Sequence, residues 1–243
     1  MKYRKISIII PVYNEQKFVR KTLDRVISAD SCGLTKEILI INDGSNDNTP
    51  SILDVWYKQN KANKIFSVKL VHHGKNLGKG AAIKTGIKKA SGDLILIQDS
   101  DIEYNPKDFS SLIKPFLLKK VAAVYGSRTK GITRYHNKYS SHFYYIGGLL
   151  LTWYINILFS QHLTDQPTGY KVLSKEVIPL INNVSENDFS FEVGITALLA
   201  KNNIKITEVP ISYKPRSIAE GKKINFLDFI KSLYIGLKYR FFI

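Results

Sequence analysis

Asp99-Ser100-Asp101 sets two carboxylates two residues apart. In an extended segment such residues point the same way. The pair can then grip one hard divalent cation, Mg²⁺ or Mn²⁺, which takes oxygen ligands and keeps water and substrate phosphates in its shell. This is not an EF-hand loop, because the glycine required at loop position six falls on Tyr104. Asp43-Gly44-Ser45-Asn46-Asp47-Asn48-Thr49-Pro50 joins a carboxylate suited to a base or ribose with helix-capping residues and a Pro for the first turn. Gly74-Lys75-Asn76-Leu77-Gly78-Lys79-Gly80 leads from an apolar run into a helical pattern, as phosphate-binding turns do. It is not a Walker A motif: three residues, not four, separate Gly74 from Gly78, and Gly80 stands where Ser or Thr is needed. Lys79 remains a candidate for a diphosphate. Later come Thr164 to Lys171, Phe189-Ser190-Phe191-Glu192, and a basic stretch from Lys214 to Lys223. Each alone reads equally as loop, cap or solvated charge. Within them Arg suits bidentate phosphate contact and Lys a point-charge contact.

These residues need a scaffold. Ile6 to Ile10, Glu37 to Ile41, Phe66 to Val71, Asp93 to Ile97 and Val121 to Tyr125 are short apolar runs of the kind buried on both faces of a sheet. Helical patterns lie between them at about Glu15 to Ser28, Thr49 to Gln59, Lys79 to Ala90 and Pro106 to Lys119. The alternation predicts an α/β fold with a central, mostly parallel twisted sheet flanked by helices. Ligands of such sheets bind beyond the carboxyl ends of the strands. All five predicted strands end there in polar, Gly-rich or charged residues, the last being Gly126-Ser127-Arg128. One nucleotide-sized site is expected.

The chain has 243 residues, 44% hydrophobic, so a sizeable core is within reach and disorder is excluded. Its single cysteine, Cys32, excludes an internal disulfide or a cysteine zinc site. Lys plus Arg exceed Asp plus Glu by 36 to 20, a formal charge of +16 that favours anionic partners without choosing among them. No signal peptide is expected, since the first apolar run stops at Pro11. Tyr139 to Thr164 contains no Asp, Glu, Lys or Arg. Its apolar part, Phe143 to Phe159, falls short of the ~20 residues a span requires and is interrupted by Gly147, Gly148, Thr152 and Asn156. A buried or interfacial helix is expected. In the tail, Phe226, Phe229, Ile230, Leu233 and Leu237 recur at helical spacing, with Lys231, Lys238 and Arg240 off the stripe. This fits both a basic amphipathic helix at a membrane surface and a core-packing terminal helix.

As an ordered set, IPVYNE, NDGSNDNT, NLGKGAAI, DSD, GSR, TDQPTGYKV, FEV, EVPISY and R-x5-K resemble family-2 glycosyltransferases of the GT-A nucleotide-sugar-binding fold. The resemblance is closest to the polyprenyl-phosphate sugar synthases, such as dolichol-phosphate mannose and glucose synthases. It implies that Pro11, Tyr13, Glu15, Ile41 and Asp43 hold the nucleoside of the donor, with Lys79 beside them. Asp99, Ser100 and Asp101 match the metal and diphosphate motif. Arg128, Lys171, Arg216 and Lys222 match basic positions that contact phosphates. Among these, Arg128 and Lys171 are assigned to the acceptor and Arg216 and Lys222 to the donor, while Asp99, Asp101 and Arg128 carry catalysis. Asn42 and Ser100 depart from the more usual Asp and Ala, yet leave Asp43 and both metal carboxylates in place.

The implied partners are a GDP- or UDP-sugar, a polyprenyl phosphate and Mg²⁺ or Mn²⁺. The implied reaction is an inverting hexosyl transfer, with mannose or glucose as the sugar. Residues 1–225 are expected to form one catalytic domain, nucleotide-binding to about 130 and acceptor-binding beyond, and 226–243 a membrane-surface helix. Attachment is expected to be peripheral, on the cytoplasmic face. A true span at Phe143 to Phe159 would put Asp101 and Lys222 on opposite sides of the bilayer. That helix and the tail should instead form an apolar platform for the lipid. A hydroxyl acceptor is the nearest rival; it needs a base, for which Asp165, Asp188 or Glu192 are the candidates. Nucleic-acid binding would leave Asp99 and Asp101 unexplained, because carboxylates repel a phosphate backbone, and it is not expected.

Overall fold

The computed structural model describes residues 2–139, 142–216 and 226–243. They form a seven-stranded sheet in the order β3-β2-β1-β4-β6-β5-β7. Its strands are β1 (Lys5–Val12), β2 (Thr35–Asn42), β3 (Ser67–His72), β4 (Leu94–Ile97), β5 (Ala123–Ser127), β6 (Lys171–Ser174) and β7 (Ile206–Pro210). All run parallel except β6, which lies antiparallel between β4 and β5.

The unbroken apolar runs follow from burial on both faces. In β1, Ile6, Ile8 and Ile10 enter one core and Ile9 the other; in β2, Ile38 and Ile40 part from Leu39 and Ile41 in the same way. Fully burying such a side chain contributes about 1.5–3 kcal/mol, so a one-residue slip in register would misplace every one of them. The first core is covered by α1 (Val19–Ser28), α2 (Thr49–Asn60) and α4 (Phe109–Leu118). The second lies under α3 (Lys79–Lys89), α6 (His142–Phe159), α7 (Ile178–Ile181), α8 (Phe191–Lys201) and α9 (Phe226–Phe241). A short helix, α5 (Gly131–Tyr135), follows β5.

The predicted strands and helices are present with shifted ends. Helix α1 starts at Val19, not Glu15, and a 3₁₀ turn at Pro106–Asp108 precedes α4. Strands β6 and β7 were not anticipated. Each is only four or five residues long, and β6 opens on a lysine that is wholly buried.

Among the described residues no helix is long and apolar enough to cross a membrane. Helices α6 and α9 pack together, and Tyr154 donates to the Leu233 carbonyl at 2.7 Å. Leu151, Ile155 and Phe159 of α6, with Ile235 and Tyr239 of α9, face the core. Phe143, Ile146, Leu150, Trp153 and Ile157, with Leu227, Ile230, Tyr234, Leu237 and Phe241, face outward. The tail thus packs against the core on one side, and its other side stays apolar and exposed.

Glu37 gives a stability prediction. Burial by itself would raise its pKa, but Ser7, Ser91 and Lys69 hydrogen-bond the carboxylate and hold it down to about 2. A depressed acid stabilises the fold above its unfolded pKa and loses that contribution as pH falls through the folded value. The window runs from about 4.5 down to about 2, worth about 3 kcal/mol at 1.4 kcal/mol per unit. Glu37→Gln should lower the urea midpoint at pH 7 and converge with the unsubstituted chain at pH 2; an equal gap at both pH values would refute this.

Candidate functional site

The carboxyl ends of β1, β2, β4 and β5, with the turn after β3, open into one cleft of about 690 Å³. Its polar end is lined by Pro11, Tyr13, Glu15, Asp43, Lys79, Asp99, Ser100, Asp101, Arg128 and Arg216. The cleft is also lined by apolar residues, Phe143, Ile146, Leu150 and Leu151 of α6 and Phe226 and Phe229 of α9, several of them open to solvent.

Asp43 follows β2 and shapes the glycine-rich turn. Its carboxylate accepts hydrogen bonds from the Leu77 amide at 3.0 Å, the Gly78 amide at 2.8 Å and His73 Nδ1 at 2.7 Å. Gly78 has φ +99°, and a Cβ there would overlap the Asn187 carbonyl, so the turn needs glycine. The turn ends at Lys79, the first residue of α3. Lys79 Nζ lies 2.7 Å from Asp99 Oδ1 and 2.8 Å from Glu192 Oε1. These anions raise its pKa against the opposing effect of burial. Glu192 Oε2 in turn lies 3.1 Å from Lys171 Nζ. Burial would raise the Glu192 pKa, but Lys171 and Lys79 hold it below the usual range.

Asp99 follows β4 outside any regular element and Asp101 lies in a bend, so neither stands on a strand. Their common orientation is therefore made by tertiary partners. Thr22 of α1 donates to the Asp101 carbonyl at 3.1 Å, and Asp101 Oδ2 lies 3.0 Å from Arg216 Nη2. Arg216 also pairs with Glu15 at 3.0 Å and lies 3.7 Å from Glu103, which accepts the Arg216 amide at 2.7 Å. Burial, then the charges of Asp99 and Asp101's other neighbour Glu103, push the Asp101 carboxyl up to about 7 against the pull of Arg216. Gly169 lies against Asp99, where a Cβ would overlap Oδ2. On the far side Arg128 holds Asp165 bidentately, at 2.8 and 2.7 Å, and lies over the Tyr213 ring.

Most predicted site residues therefore line one cleft. Three do not. Ile41 is wholly buried in the second core. Lys171, expected at an acceptor phosphate, is wholly buried beneath the cleft and directed at Glu192 and the Thr168 carbonyl. Its strand, β6, is one of the two the sequence pattern did not reveal. Lys222 lies outside the described residues. Glu103, Gly169, Tyr104 and Tyr213 line or shape the site and were not singled out. Glu103 extends the alternation of Asp99 and Asp101 by one step, a signal the sequence did carry.

Although the chain is strongly basic, the cleft is not. Among the described residues, Glu15, Asp43, Asp99, Asp101, Glu103, Asp188, Glu192 and Asp228 line it against Lys79, Arg128 and Arg216. A bound diphosphate would need added positive charge. No cluster of three or more His, Cys, Asp or Glu suited to a metal occurs among the described residues. Asp99 and Asp101 fit a divalent cation that completes its shell with substrate phosphate and water, the usual manner of Mg²⁺.

The sheet order, with one reversed strand and an acidic pair at the crevice, defines an α/β fold shared with solved glycosyl-transferring enzymes. Glucosyl-3-phosphoglycerate synthase from Mycobacterium tuberculosis, solved with Mn²⁺, UDP and glucosyl-3-phosphoglycerate, superposes with a TM-score of 0.68 at 17% identity, covering 98% of this chain and 80% of that one. The same enzyme has been solved with Mg²⁺ and UDP, at a TM-score of 0.67. Residues 7–178 match Glycosyl transferase family 2, and the chain belongs to that family. Similar proteins include the dolichol-phosphate mannosyltransferase of Pyrococcus furiosus, 27% identical over 222 residues, 90% of this chain and 59% of the relative. A dolichyl-phosphate beta-glucosyltransferase of Trichomonas vaginalis is 28% identical over 85% of this chain and 63% of its own length. The chain thus spans about three fifths of these two relatives. It spans 90% of the UDP-N-acetylglucosamine–dolichyl-phosphate N-acetylglucosaminyltransferase of Methanococcus voltae, at 28% identity.

Proposed function

We propose that this protein transfers a hexosyl group, with inversion, from a nucleoside diphosphate sugar to a polyprenyl phosphate at a membrane surface. The observation that carries this reading is the continuity of the cleft from the Asp99–Asp101–Arg216 cluster to the apolar groove between α6 and α9. A phosphorylated lipid needs both halves. The exposed apolar faces of the two helices support peripheral membrane contact, with Arg240 exposed to anionic headgroups, while Lys231 and Lys238 pair with Asp188 and Glu186. The relatives' names support the acceptor class.

In this reading Pro11, Tyr13, Glu15 and Asp43 shape the nucleoside end, and Asp99 and Asp101 hold Mg²⁺ or Mn²⁺ against the donor diphosphate. The metal would supply positive charge to the leaving group. Arg216 and Lys79 add to that charge from fixed positions, the kind of preorganised electrostatics that often dominates catalysis. Arg128 aligns the acceptor phosphate, and its own orientation is locked by Asp165. A phosphate monoester with a second pKa near ~6 is largely dianionic at neutral pH, so the nucleophile needs no general base.

The state of the acids disfavours a hydroxyl acceptor. Asp165 is taken up by Arg128, Glu192 by two lysines, and Asp188 by Lys231 and Ser190. Hydrogen bonds from Lys231 and Ser190 hold the Asp188 carboxylate below its ordinary pKa, overriding its burial. None is poised to take a proton.

A thermal-shift panel of GDP- and UDP-sugars with and without Mg²⁺ or Mn²⁺ identifies the donor, because a bound ligand raises apparent stability. The strongest donor, radiolabelled, is then given to the protein with vesicles containing a polyprenyl phosphate. Label should enter the organic-extractable fraction. Label confined to water-soluble glycan would overturn the acceptor assignment.

A further inference from the structure

We infer that Lys79 is the resident counter-cation of Asp99, and that a divalent metal must displace it to reach that carboxylate. The inference rests on the proposed use of Asp99 for a metal and goes beyond it, by assigning the ammonium a second position. Lys79 Nζ sits 2.7 Å from Asp99 Oδ1, in direct contact with the oxygen a metal would need. The ammonium does not merely happen to be near. The Asp43-braced turn fixes the start of its helix, Phe189 lies under it at 5.7 Å, and Glu192 is its second anchor at 2.8 Å. Glu192 is itself pinned by the buried Lys171. Four charges thus alternate across the cleft floor, from Lys171 through Glu192 and Lys79 to Asp99.

The arrangement has a thermodynamic consequence. Without substrate, Asp99 is neutralised by Lys79 and Asp101 by Arg216. A metal arriving alone must break both pairs, leaving Lys79 with Glu192 alone and Arg216 with Glu15 and Glu103, and setting its own charge beside both cations. A nucleoside diphosphate brings the anionic oxygens that Lys79 and Arg216 can take instead, which frees both carboxylates. Metal and diphosphate then favour each other's binding, and by linkage the effect is equal in both directions.

Mn²⁺ binding to the full chain, without nucleotide, is measured by the electron paramagnetic resonance signal of free Mn²⁺. Lys79→Met keeps the side-chain length and removes the charge. At partly buried sites one unit charge in contact is worth several kcal/mol before screening, so Mn²⁺ alone should bind at least about tenfold more tightly to Lys79→Met. GDP and UDP should improve Mn²⁺ binding less in the variant than in the unsubstituted chain. Lys238→Met is the control, since it removes a cation that lies outside the cleft and pairs with Glu186, not with Asp99. It should leave Mn²⁺ affinity within about twofold. Unchanged or weaker Mn²⁺ binding to Lys79→Met, or an equal gain in Lys238→Met, would overturn the inference. If Lys79→Met does not fold, Lys79→Gln makes the same comparison. Should neither GDP nor UDP bind the unsubstituted chain, the donor reading falls, and the nucleotide-free Mn²⁺ comparison still decides the role of Lys79.

Discussion

Asp99→Asn is expected to reduce sugar transfer by about 10³-fold or more, with the fold retained. The substitution preserves shape and removes the charge that would hold a metal on the donor diphosphate. Losing a single preorganised electrostatic group commonly costs about 10²–10³-fold, and here the loss extends to the metal that the group retains. Lys79 and Glu192 keep each other as partners in the variant, so the local cost in stability is small. Gly169→Ala tests the same carboxylate by position instead of charge. The added Cβ would overlap Asp99 Oδ2, so the carboxylate must turn away while its charge remains. Activity should fall by about 10²-fold, since small misplacements of reacting groups cost that much. Initial rates beside a thermal melt check both variants. Transfer within a few-fold of the unsubstituted rate in Asp99→Asn would remove Asp99 from the chemistry.

The second large effect is expected at Arg216, and it is mixed. This guanidinium neutralises Glu15, Asp101 and Glu103 in a largely buried setting. Removing one member of a buried ionic cluster costs about 3–5 kcal/mol, because the remaining charges lose their compensation. For a chain of this size that corresponds to a fall in melting temperature of about 6–20 °C, at about 2–4 °C per kcal/mol. Arg216→Met should also weaken donor binding, since the diphosphate loses a cation. Asp101→Asn in the Arg216→Met background should recover part of the lost stability and none of the transfer. That separation marks a residue that both supports the fold and faces the substrate. A melting temperature unchanged in Arg216→Met, or full additivity of the two substitutions, would show that the cluster does not act as a unit.

Much of this could be read without coordinates. Strands buried on both faces are apolar at most positions, so Ile6 to Ile10 and Glu37 to Ile41 announced themselves despite the buried Ser7 and Glu37. The strand-end rule then gathered Asp43, Lys79, Asp99 and Arg128 onto one edge of the sheet, because connections in parallel sheets leave ligands only that side. Strand β6 was hidden because four residues carry too little periodic signal and because a lysine in a strand reads as solvent-facing. Whether Lys171 faces phosphate or Glu192 depends on an antiparallel insertion between β4 and β5, a long-range pairing that no local pattern encodes.

The chain's own residue order determined the chemistry on offer: a carboxylate pair, a glycine-rich turn with its lysine, and cations spread far along the sequence. Tertiary structure alone decided which charges meet. Lys79 and Glu192 stand 113 residues apart, and Glu15 and Arg216 are separated by 201. Ion pairing depends on distance through space and on exclusion of water, and both are properties of the packed sheet and its helices, not of spacing along the chain.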